Sequence, residues 1–223
     1  MLKRPQIKRL TGENSSKTME DEENLDRNMF NDEVVALEGM IAEWVDYKQL
    51  VVFYGSSSFR LWNTILEDLA PLNVMNLGFG GASFGWTVFY YDRLIKILPA
   101  ASHFVFYCGD NDLDNGITPE GVMKRFRKLV DMTRRDFPKA KISVVTIKPS
   151  PSRTYLQDKI KLTNNLIRKD LRGVPRASQI NVYDSMLDEK GVARPELFIE
   201  DELHMNQDGY KIWKGEIRKF FGI

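Results

Sequence analysis

Cysteine is almost missing from this chain: Cys108 is the single one in 223 residues. That excludes an intrachain disulfide, and with no cysteine cluster a thiolate zinc site has no ligands. Histidine is nearly as scarce, at two residues, His103 and His204. An excess of one charge is missing too. The 32 Lys and Arg residues and 31 Asp and Glu residues leave a net charge of +1, which argues against nucleic acid or an anionic membrane as an obligatory partner. No apolar run approaches the ~20 residues of a membrane-spanning helix. Residues 1–28 are basic first and acidic later, without the apolar core of a secretory signal, so a cytoplasmic location is the expectation. What remains is the ordinary make-up of a globular chain, 43% hydrophobic and 28% charged, of a length that suits one large domain.

Residues 1–30 lack periodicity and read as a mobile tail; 31–223 read as one domain without repeats or linkers. Val34, Leu37, Ile41 and Trp44 recur at helical spacing ahead of the first strand. Continuously apolar runs then mark strands over 50–55, 72–77, 103–108, 141–147 and 180–183. Helices are expected between them: over 59–69, then from Thr118-Pro119, with Thr as N-cap and Pro at the first helical position. Another carries Leu156, Ile160, Thr163, Ile167 and Leu171, and a last one begins near Asn206. No hairpin dipeptide joins the strands, so strand–helix alternation predicts an α/β fold, a parallel sheet covered by helices on both faces.

In such a sheet the ligand crevice forms at the carboxyl ends of the strands. There the chain has Gly55-Ser56-Ser57-Ser58 after the first strand and Gly78, Gly80 and Gly81 after the second. Gly109 and Asn111 follow the third strand, and Asp201 and His204 lie in the long loop before the last helix. A hydroxyl, an imidazole, a carboxylate, backbone N–H groups and a side-chain amide on one rim are the parts of serine-mediated acyl transfer. The serines could equally serve as helix caps, and spacing alone does not choose among Ser56, Ser57 and Ser58. His103 opens an apolar strand and reads as a satisfied core or strand-edge residue. His204 has Asp201 three residues before it, which lets Nδ1 turn to the carboxylate and Nε2 to a serine.

Gly55-Ser56-Ser57, Gly81 within Asn76-x-Gly78-x-Gly80-Gly81, Gly109-x-Asn111-Asp112 and Asp201-x-x-His204 resemble, in order, the four blocks of the SGNH, or GDSL-type, hydrolase superfamily. The runs 53–62 and Lys148-Pro149-Ser150-Pro151-Ser152-Arg153 are similar to a bacterial esterase-like branch with a Gly-Ser-Ser-Ser block. The resemblance spans roughly residues 34–221. It implies a three-layer αβα sandwich with a five-stranded parallel sheet, flavodoxin-like in plan. By the same resemblance Ser57 is the nucleophile, His204 the base and Asp201 its orienting acid. The oxyanion hole would comprise the N–H groups of Ser57 and Gly81 and the amide of Asn111. Ser56 stands where the family usually has Asp, and Met205 where a proline commonly follows the histidine. The expected activity is cleavage of small carboxylic esters, esterase- or lipase-like or as a carbohydrate O-acetyl deacetylase, through an acyl-enzyme, with a small-molecule ester as partner and with no cofactor or metal implied. An inactive ligand-binding module on the same fold and an acyltransferase are the alternatives.

Other patterns compete. Gly81-Ala82-Ser83-Phe84-Gly85 matches the G-x-S-x-G elbow, but that serine belongs directly after a strand and Gly78 to Gly80 intervene. Ser83 is better read as shaping the oxyanion loop. Gly78-x-Gly80 lacks the third glycine of a dinucleotide fingerprint, and the Asp110, Asp112, Asp114 run has Asn115 and Gly121 where a calcium loop needs Gly and Glu. The basic residues 124–135 fall on the polar face of an amphipathic helix. Phe84 and Trp86 are candidates for lining an acyl pocket.

Overall fold

A computed structural model describes residues 28–223; the tail expected over 1–30 lies outside the described residues except for its last three. Helix α1 (Asn31–Glu43) leads into strand β1 (Val51–Gly55). Two one-turn helices follow, α2 (Ser57–Arg60) and α3 (Ile65–Asp68), then β2 (Val74–Gly78). Next come α4 (Phe84–Phe89), α5 (Tyr91–Leu94), β3 (His103–Tyr107), α6 (Asp110–Asp114) and α7 (Pro119–Asp136). Strand β4 (Lys141–Val145) leads through a 3₁₀ turn, Pro151–Leu156, into α8 (Gln157–Leu171), β5 (Ala177–Ile180) and finally α9 (Gln207–Phe221).

All five strands are parallel, in the order β2-β1-β3-β4-β5. The chain runs one way from β1 to β2 and the other way from β3 onward. The reversal opens a crevice at the carboxyl end of β1, the ligand position in sheets of this order. Alternate strand residues face opposite layers. Val52, Tyr54, Leu77, Phe104, Phe106 and Val144 pack under α1, α4, α5, α7 and α8. Val51, Phe53, Val74, Val105 and Tyr107 pack under α2, α3 and α9, where Phe59, Trp62, Ile65 and Trp213 meet them. This is the expected three-layer αβα sandwich with its five-stranded parallel sheet. No helix among the described residues is long and apolar enough to cross a membrane.

Two expected elements are corrected. The helix expected over 59–69 is two one-turn pieces with a break over 61–64. Asp68 closes the gap instead, accepting from the Trp62 indole (2.8 Å) and the Thr64 hydroxyl (2.6 Å). The fifth strand lies at 177–180 rather than 180–183. Its polar residues conceal it: Ser178 bonds Ser143 across the strands (3.0 Å) and Gln179 reaches the Asn164 carbonyl (2.9 Å). The apolar run after it leaves the sheet, with the Val182 and Tyr183 N–H groups donating to the Thr146 hydroxyl.

His103 sits at the start of β3, 6% exposed, with Nε2 2.8 Å from the Ser143 hydroxyl. Burial, reinforced by Lys141, pushes its imidazole down to about 4. The unfolded chain therefore takes up this proton first, and the stability linked to His103 is complete above about pH 6.5 and lost as pH falls toward 4, a change of about 3 kcal/mol. Urea unfolding of wild type and His103→Gln between pH 7 and 4 checks this: the variant's stability should fall less steeply, and parallel slopes would contradict it.

Candidate active site

Four loops build the site, and the sheet register sets the spacing of those that follow β1, β2 and β3. Gly55 pairs with Gly78 on one side and Tyr107 on the other. A Cβ on Gly55 would lie 2.0 Å from the Tyr107 carbonyl oxygen, so only glycine lets β1 leave the sheet this close to β3. The chain turns at Ser56 in extended conformation and enters α2 at Ser57. Ser56, Ser57 and Ser58 are all buried, yet their surroundings differ. The Ser57 hydroxyl lies 3.0 Å from Nε2 of His204, whereas the Ser58 carbonyl accepts from the Tyr210 hydroxyl (3.0 Å).

His204 belongs to the loop between a 3₁₀ turn, Pro195–Leu197, and α9. Asp201 folds this loop on itself. Its Oδ1 accepts from the backbone N–H groups of Leu203 (2.9 Å) and His204 (2.8 Å), and its Oδ2 lies 2.5 Å from His204 Nδ1. Burial works to raise the Asp201 carboxyl, but the His204 ring and the two backbone N–H groups outweigh it and hold the group at about 2. The imidazole is thus fixed at one nitrogen and offered to Ser57 at the other.

The same loop is braced from below by residues that no spacing argument indicated. Lys148 is 1% exposed and its Nζ donates to the Leu203 carbonyl at 2.7 Å. Burial pushes this amine down to about 8, against the pull of Asp110. The Ser152 N–H and hydroxyl both donate to the Glu202 carbonyl (3.2 and 3.0 Å). The run 148–153 carries a family resemblance in the sequence, but its role emerges only from contacts about fifty residues apart.

The loops after β2 and β3 are tied together. The Asn111 amide donates to the Ala82 carbonyl (3.1 Å), which leaves its second N–H hydrogen available. Buried Asp112 accepts from the Phe84 N–H (2.9 Å) and pairs with Arg125 (3.1 Å). Gly81 has φ +60, a conformation that side chains resist. Neither the Ser57 N–H nor the Gly81 N–H has a protein acceptor among the described residues. Ser83 caps α4, accepting from the Trp86 N–H at 3.3 Å. Phe84 is fully buried against Phe126, so it belongs to the core and lines no pocket. On α7, Arg125 and Arg127 pair with Asp112 and Asp170, and Arg135 with Asp136. Among the described residues no group of three or more His, Cys, Asp or Glu could hold a metal ion. A cavity of about 540 Å³ lies between the 61–64 segment and the start of α9, walled in part by Leu61, Trp62, Ile199, Met205 and Tyr210; neither Ser57 nor His204 lines it.

The sequence profile described as "GDSL-like Lipase/Acylhydrolase family" matches residues 38–212. No curated protein sequence matches the chain. Among solved structures, a Streptococcus pneumonia protein provisionally described as a platelet activating factor superimposes with TM-score 0.77 at 17% identity, covering 93% of this chain and 99% of its own. A GDSL-like lipase from Bacteroides thetaiotaomicron gives TM-score 0.70 at 18% identity, over 88% and 97% of the two chains. The lipase/acylhydrolase of Enterococcus faecalis gives 0.60 at 19%, over 78% and 96%.

The Asp201 geometry has a direct readout. Its carboxyl lies below the ordinary value, so the stability it contributes is present above about pH 4 and is lost as pH falls through about 2. A carbon-detected NMR titration should place the Asp201 midpoint near 2; a midpoint near 3.8 would show that the hydrogen bonds to His204 and the loop are not held in solution.

Proposed function

The chain belongs to the GDSL-like lipase/acylhydrolase family and is an ester hydrolase, and from that premise we propose that it cleaves small carboxylic esters through Ser57, His204 and Asp201. Ser57 Oγ attacks the ester carbonyl while His204 Nε2 takes its proton. The imidazolium so formed is stabilised by Asp201 and then gives the proton to the departing alcohol. The acyl group is left on Ser57. Water, deprotonated by the same imidazole, attacks the acyl-enzyme, and the acid leaves with Ser57 restored.

The negative charge that develops on the carbonyl oxygen is received by the Ser57 and Gly81 N–H groups and the free amide hydrogen of Asn111. Each is neutral, so the site stabilises an oxyanion without binding every passing anion.

One observation carries the reading: a single imidazole lies 3.0 Å from a serine hydroxyl and 2.5 Å from a carboxylate. The test is turnover of a chromogenic acetate ester. Ser57→Ala should lower kcat by at least about 1000-fold, and Asn111→Ala should lower it by about 100–1000-fold, the effect of removing one oxyanion donor. Wild-type turnover in Ser57→Ala would overturn the assignment. If wild type turns over no ester in a panel of acyl lengths, the fold serves to bind rather than to cleave.

A further inference from the structure

Two glycines in succession, Gly80 and Gly81, form the loop that carries one of the proposed oxyanion donors. Such a pair has more backbone freedom than any other dipeptide, and a donor that must be aimed loses its effect when it is free to turn. The restraint comes from residues ahead of the family-matched region, which begins at residue 38.

Glu33, in the first turn of α1, accepts a hydrogen bond from the Gly80 N–H at 2.8 Å. The same carboxylate oxygen lies 3.5 Å from Nε of Arg60, the last residue of α2, three residues past Ser57. One side chain thus links the glycine loop to the serine turn. Phe30 closes the other side. Its ring reaches within 3.3 Å of the point where a Gly81 Cβ would stand, and it packs edge-on against Phe79 and Trp86 at 5.6 and 5.3 Å between ring centres.

The support is itself anchored. Val34 and Ile41 are buried in the core. Arg93 grips α1 through both oxygens of Glu38 (2.6 and 2.7 Å) and through Asn31 (3.0 Å), and the Tyr90 hydroxyl donates to the Met29 carbonyl.

We propose that Glu33 is a positioning residue for ester cleavage: by holding the Gly80 peptide while Phe30 packs on Gly81, it aims the Gly81 N–H at the carbonyl oxygen of the substrate. The inference rests on the proposed oxyanion role of Gly81. Glu33 touches no reacting atom, and Arg60 beside it offsets its charge. Its effect therefore belongs in kcat, where transition-state stabilisation is read, and not in KM.

The test compares Glu33→Ala, Glu33→Gln and Ser57→Ala with wild type on the chromogenic acetate ester, with thermal melting of each. The Glu33 side chain is 40% exposed, so its loss should leave folding intact. Glu33→Ala should lower kcat 10- to 100-fold with KM within threefold. Glu33→Gln, whose amide oxygen still accepts from Gly80, should stay within threefold of wild type in kcat. An unchanged kcat in Glu33→Ala, or equal losses in the Ala and Gln variants, would overturn the positioning role while an inactive Ser57→Ala leaves the serine mechanism standing. Activity surviving in Ser57→Ala would instead overturn the reading on which this inference rests.

Discussion

The His204 ring joins two points of the chain 147 residues apart, Ser57 at the start of α2 and the loop that enters α9. Everything else in the site depends on that junction. A parallel sheet makes it possible, because every strand delivers its loop to the same edge, and reversal of strand order beside β1 leaves the edge open there. Gly55 then lets the serine turn leave the sheet hard against β3. The hydrophobic layers set where the loops emerge; the polar contacts set where they point.

Those polar contacts are unevenly distributed. Asp201 receives two backbone N–H groups as well as the imidazole, so one carboxylate both shapes the loop and orients its ring. Lys148 and Ser152 fasten the carbonyls on the far side of the same turn. A buried lysine is a costly support, and its lowered pKa records that cost. It is tolerated where a loop must not drift, since an ångström of misplacement at His204, the proposed general base, would cost rate steeply. On the opposite rim, Glu33 and Phe30 do for Gly80 and Gly81 what Lys148 does for His204.

Much of this architecture is legible in the sequence because burial on both faces writes strands as unbroken apolar runs. β1 and β3 fall within a residue of their expected bounds for that reason. β5 is misread because an edge strand that bonds through Ser178 and Gln179 carries no such signature. The helix after Ser57 is misread because Phe59, Trp62, Ile65 and Leu69 keep helical spacing on one buried face although the backbone leaves helical form over 61–64. The site blocks are readable as short motifs, and only the family resemblance favours Ser57 over its neighbours in the sequence. Glu33 leaves no local trace, and Lys148 shows only within a family-like run that does not disclose its role. Each acts through a contact about fifty residues distant, and a glutamate in a helix's first turn reads equally well as a favourable charge there.

The proposed mechanism stands on Ser57 as the group that attacks the ester carbonyl. Treating the folded protein with a fluorophosphonate and locating the adduct by peptide mass spectrometry tests it most directly. One phosphonyl group is expected on Ser57, with labelling slowed at least about 100-fold in His204→Ala, the scale of a lost general base. An adduct on Ser56, Ser58 or Ser83, or labelling of Ser57 at an undiminished rate without His204, would contradict it.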